Sequence, residues 1–210
     1  AVADEGNEEL FHRLISFDPW QAPANSPKEF LAFCGVLGLG QLLARSNRNT
    51  LPLLRAFAAD PRWRIREAVA MALQRWGRVD MAALLEEMRR WCQGDLLEQR
   101  AAVAAVCEPD LLRTRTHAVA VLALLDQVTR NLSLANDRQR DEFKILRKGL
   151  AYCWSVAVVA APEPGQTMMA AWFDSPDPAA RWVMKENLKK KRLQRLDPDW
   201  VITATKALGS

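Results

Sequence analysis

Four times along this chain an arginine opens a run with apolar residues three and then six or seven positions later. Arg66 leads to Val69 and Leu73, Arg100 to Val103 and Val106, Arg147 to Leu150 and Trp154, and Arg181 to Met184 and Leu188. Those offsets return to one side of an α-helix, whereas alternation would be needed to line one face of a strand. The four arginines lie 34, 47 and 34 residues apart, the length of a helix pair repeated in tandem. A pair with so wide an apolar face cannot cover itself, so it must stack on its neighbours.

Each run is preceded by a shorter helical segment and a turn. The pairs read as 51–60 with 62–77, 81–91 with 97–107, 117–132 with 141–161, and 167–174 with 179–196. Asp60-Pro61, Gly94-Asp95 and Ser175-Pro-Asp-Pro178 supply turns, the polar stretch 133–139 a linker, and Gly77 a helix stop. Tyrosine occurs once and runs of alternating β-branched residues are missing, which fits an all-α chain. The expected fold is therefore an α-solenoid, a superhelix of about four helix pairs. Residues 1–28, punctuated by Pro19, Pro23 and Pro27, read as an N-terminal extension, and 29–210 as one repeat domain. Ser26-Pro27 marks the start of the domain's first helix.

With half of 210 residues apolar and 26% charged, the chain has material for a real core, which excludes disorder over most of its length. The longest apolar run, Phe30–Leu43, is interrupted by Gly35, Gly38 and Gly40 and falls short of the roughly twenty residues a bilayer requires. No membrane segment and no signal peptide are expected. Cys34, Cys92, Cys107 and Cys153 are widely spaced in apolar surroundings, the pattern of reduced buried thiols in a cytoplasmic protein. With two histidines, His12 and His117, out of helical register, neither a metal site nor a cofactor is expected. The three glycines of 35–40 lack a preceding strand and a following Lys-Ser/Thr, so they serve helix packing and not a phosphate loop.

The segments Asp60-Pro-Arg-Trp-Arg-Ile-Arg-Glu-Ala-Val-Ala-Met-Ala-Leu73 and Asp177-Pro-Ala-Ala-Arg-Trp-Val183 resemble second helices of HEAT repeats, a likeness that extends over residues 50–196. The resemblance implies a binding scaffold with its second helices along a concave surface, and an Arg66 side chain bonded to the Asp60 turn carboxylate. A second resemblance is to bacterial alkylpurine DNA glycosylases built on a HEAT-like array. Leu84–Asp95 is similar to their helix ending in Trp-x-x-x-Asp, which implies Trp91 as an aromatic wall and Asp95 as the catalytic carboxylate of a DNA-repair enzyme. Cys92 stands where that family has a further tryptophan, and Arg181-Trp-Val-Met-Lys-Glu-Asn187 replaces its late Lys-Ala-Ile-Gly-Trp run.

Charge distribution supplies the functional expectation. The net charge is +4, yet residues 181–196 hold seven basic side chains against Glu186, so the rest of the chain is slightly acidic. On one continuous helix Arg181, Lys185, Lys189 and Arg192 form a basic stripe able to track a phosphate backbone. Arg62 and Arg64, interleaved with Trp63, repeat the theme, and Trp63 and Trp182 are the candidate aromatic contacts. Trp76, Trp154 and Trp172 read as core, while Trp63, Trp91, Trp182 and Trp200, beside charges or turns, read as surface. The function expected is a monomeric HEAT-repeat module that binds DNA or a partner protein. Excision of alkylated purines is the alternative.

Overall fold

The computed structural model describes residues 1–209, and these hold thirteen α-helices, two 3-10 turns and no strand. None of the helices is long and apolar enough to cross a membrane. The chain divides into two compact units, Ala1–Glu87 and Met88–Ser210.

The first unit contains α1 (Val2–Glu5), α2 (Glu8–Ile15), α3 (Glu29–Ala44), a 3-10 turn at Arg48–Thr50, α4 (Leu51–Phe57) and α5 (Trp63–Gly77), and the division falls within α6 (Met81–Trp91). Its axis is α3, apolar around most of its circumference and clasped by α2 and α5. The glycines make this close approach possible. A Cβ on Gly38 would lie 2.1 Å from the Phe11 ring, and one on Gly40 would lie 2.5 Å from Ala72 of α5. The segment 1–28 is thus not a loose extension. Phe11 is fully buried, Asn7 caps α2 by accepting from the Leu10 N–H, and Arg75 pairs with Asp4. Prolines confined to 19–27 left α1 and α2 free to form ahead of them.

The second unit contains α7 (Leu96–Val106), a 3-10 turn at Pro109–Leu111, α8 (Arg115–Leu134), α9 (Asp141–Ala160), α10 (Pro162–Ala170), α11 (Pro178–Leu188), α12 (Lys191–Leu196) and α13 (Pro198–Gly209). At its centre α9 packs against α7, α8, α10, α11 and α12. Asp95, Thr114 and Asp177 cap α7, α8 and α11 through their side chains. Trp154, wholly buried, donates its indole N–H to Thr129, whose hydroxyl donates in turn to the Leu125 carbonyl.

The four arginine-led helices share one burial register. Counted from the arginine, the residues at −1, +3, +6 and +7 are buried in every case: Ile65, Val69, Ala72 and Leu73; Gln99, Val103, Val106 and Cys107; Leu146, Leu150, Cys153 and Trp154; Ala180, Met184, Asn187 and Leu188. In the second unit the register carries a repeated contact. The +6 side chain of each helix reaches the +3 carbonyl of the helix before it. Cys153 Sγ lies 3.5 Å from the Val103 oxygen, and Asn187 Nδ2 is 3.0 Å from the Leu150 oxygen. Asn187 Oδ1 also accepts from the Ser155 N–H at 2.8 Å, so one buried amide satisfies two backbone groups of α9.

Two helix assignments differ from the sequence reading. The helix expected over 167–174 runs from Pro162 to Ala170, because Pro162 and Pro164 occupy its first turn, where an N–H is not required. The helix expected over 179–196 is two. It stops at Leu188, Lys190 is extended, and α12 restarts at Lys191 with Leu193 turned into full burial.

Candidate nucleic-acid interface

Arg181 and Lys185 are exposed on α11, and Lys148 is exposed on the adjacent α9. Among the described residues none of the three makes an ion pair, and the same holds for Lys190, Lys191 and Arg195 in and before α12. The carboxylates of these helices are already engaged: Glu186 by Lys189, Asp141 by Lys144 and Glu142 by Arg140. The surface of α9, α11 and α12 therefore carries positive charge that the fold does not neutralise.

The break at Lys189–Lys190 changes the expected stripe. Arg181, Lys185 and Lys189 remain on or at the end of α11, whereas Arg192 belongs to α12 and turns to α9. Its guanidinium lies 4.5 Å from the Tyr152 ring centroid and donates to the Tyr152 hydroxyl at 2.7 Å. Arg147 of α9 similarly lies 4.3 Å over the ring of Trp182, which is half-buried. Both indole and phenol are thus covered by a cation on one face. Trp182, expected as an aromatic contact, supports an arginine on that face. Arg147, Lys148 and Tyr152 were not anticipated as site residues. Arg147 was visible in the sequence only as a repeat position, since nothing local foretells that Trp182 comes to lie under it.

In the first unit the arginines have other work. Arg62 is 2% exposed; it holds Asp60 through two nitrogens at 2.9 and 2.7 Å and donates to the carbonyls of Phe17 and Ala22. It is no phosphate ligand. The pairing expected of Arg66 with the Asp60 carboxylate belongs to Arg62, whereas Arg66 donates to the backbone carbonyls of Asp60 and Pro61. Arg64 is partly exposed and bonded to Asn25 and to the buried carboxylate of Glu29, with its guanidinium 4.5 Å over Trp63. Trp63 itself is 50% exposed, as expected of a surface residue.

The Trp-x-x-x-Asp segment does not form a base pocket. Trp91 has no exposed surface and packs in the core at the end of α6, where Met88 and Cys92 are equally buried. Asp95 is the N-cap of α7, its carboxylate accepting from the Leu97 and Glu98 N–H groups at 2.9 Å each. An indole closed off from solvent cannot wall a substrate, and this correction follows from the helix phase that points residue 91 inward. Trp76 and Trp154 are core as expected, and Trp172 is half-buried with its indole N–H donating to Asp126.

All four cysteines are buried and unbridged, and burial pushes the Cys92 thiol up to about 12. Among the described residues no group of three or more His, Cys, Asp or Glu side chains is placed to hold a metal ion. No protein-family model, no curated protein and no solved structure matches this chain.

Proposed function

We propose that this protein is a HEAT-like binding module whose second unit grips nucleic acid by its phosphates, on the surface formed by α9, α11 and α12. The observation that carries this reading is the set of exposed cations Lys148, Arg181, Lys185, Lys191 and Arg195, with the half-buried Lys190 between them, none paired among the described residues, on helices whose own carboxylates are taken. Unneutralised cations in such number release counterions from a polyanion and bind it without reading sequence. Because Tyr152 and Trp182 already carry arginines, recognition runs through backbone phosphates and not through stacked bases. The shared register of α7, α9 and α11, with its repeated side-chain to carbonyl contact, supports reading these helices as successive steps of a solenoid.

Fluorescence anisotropy with duplex and single-stranded oligonucleotides across a salt series tests the proposal. Binding is expected at low salt, with little sequence preference. The triple variant Lys148→Gln, Arg181→Gln, Lys185→Gln should lower the slope of log affinity against log salt by about two to three. Absence of binding at low salt, or an unchanged slope in the variant, defeats it.

A partner protein is the second reading, supported in the first unit, where Trp20 and Phe30 are 91% and 63% exposed and Phe30 stacks on Phe33 at 5.8 Å. Excision of alkylated purines, the enzymatic reading, requires groups other than Trp91 and Asp95. Release of 3-methyladenine or 7-methylguanine from methylated DNA is expected to be absent.

A further inference from the structure

Arg147 stands apart from an ordinary surface arginine in two respects. It is half-buried, with its Nε shielded from solvent and donating to no acceptor. Its guanidinium is nonetheless held in place, 4.3 Å from the Trp182 ring centroid. No carboxylate or carbonyl among the described residues meets this group. The one carboxylate on α11, Glu186, is engaged by Lys189. A charged donor withdrawn from water without an acceptor is costly, and an indole attracts the cation without satisfying its N–H groups.

We infer that Arg147, fixed on Trp182, is a discrete site for a single phosphate group. The indole restricts the guanidinium before any ligand arrives, so less freedom is lost on binding, and a phosphate oxygen supplies an acceptor to the terminal Nη groups, which are not closed off as Nε is and meet none among the described residues. Positive charge stands on both flanking helices: Lys148 is the next residue of α9, and Arg181 precedes Trp182 on α11, both exposed and without an ion pair among the described residues. The register that brings Arg147 against α11 also lays Arg100 of α7 against α9, where a Cβ on Gly149 would lie 3.5 Å from Arg100 Cγ.

This inference rests on the nucleic-acid reading for its biological ligand, but the site itself is tested with inorganic phosphate. In heteronuclear NMR spectra of the full chain, phosphate at matched ionic strength should shift the Arg147 Nε–H and Trp182 indole N–H resonances saturably, and chloride should not. Arg147→Lys keeps the charge but loses the planar fork; it should abolish the saturable shift at Trp182 and weaken duplex binding about tenfold. Arg181→Lys, by contrast, should leave duplex affinity within about twofold. If Arg147→Lys loses its helical circular dichroism, Trp182→Leu removes the support while keeping the guanidinium, and should weaken phosphate binding several-fold. Equal responses to phosphate and chloride, or a folded variant at either position that binds phosphate as the parent does, overturn the inference. Duplex binding unchanged in Arg147→Lys overturns the site and leaves the basic surface standing. A saturable phosphate response without nucleic-acid binding at low salt does the reverse.

Discussion

Two arginine-rich helix starts in this molecule look alike in sequence and differ in what their charges do. At the start of α5, Arg62, Arg64 and Arg66 are consumed by the fold: the loop before α3 and the Asp60-Pro61 turn bring carbonyls and carboxylates within reach of each guanidinium. On α11 and α12, Arg181, Lys185, Lys190, Lys191 and Arg195 find no carboxylate among the described residues. The difference lies in the acceptors, not in the cations. An arginine becomes a structural strut where a turn or loop surrounds it with oxygen atoms, and stays available to a ligand where its neighbours are apolar or basic.

The largest effect expected from this contrast is at Arg62. Arg62→Ala leaves the Asp60 carboxylate, 8% exposed, without its bidentate partner and should cost about 3–5 kcal/mol in urea unfolding. Nucleic-acid affinity of the protein that remains folded should be unchanged. A variant that keeps its stability and loses binding would break the distinction between the two regions.

In the second unit, the stabilising polar residue is Asn187 and not a cation. Asn187→Leu strips the partner from the Ser155 N–H and from one lone pair of the Leu150 carbonyl, with an expected loss of about 2 kcal/mol by the same measurement. Next in size is Asp95→Ala, which removes a helix cap and should cost about 1 kcal/mol, leaving the salt dependence of binding as it was. The smallest stability change is expected at the free cations. Arg181→Gln with Lys185→Gln should shift unfolding by no more than about 0.5 kcal/mol, although the same pair lowers the salt slope of binding. A large destabilisation there would mean that these side chains are struts too.

The register of the arginine-led helices was readable without coordinates because helical periodicity is local: apolar residues at +3 and +7 must share a face whatever they pack against. The same logic found the close packing at Gly38 and Gly40 and the buried thiols. The segment 1–28 was harder, since its order depends on Phe11 of α2 packing at Gly38 and on Arg62 donating to the Phe17 and Ala22 carbonyls, contacts between distant parts of the chain. The C-terminal helix α13 went unanticipated for a similar reason. Its start is capped by Asp197, whose other carboxylate oxygen accepts from Gln166 of α10.

By itself, then, the sequence determined that the chain is helical, the register of its four arginine-led helices, and that a strong basic excess falls between residues 181 and 196. Tertiary structure alone decided which cations remain unpaired among the described residues, that Trp91 is core, and that Arg147 meets Trp182. The physical reason is range. Helix periodicity is set by neighbours within a few residues, whereas the pairing of a charge depends on which oxygen atoms packing brings to it from elsewhere in the chain.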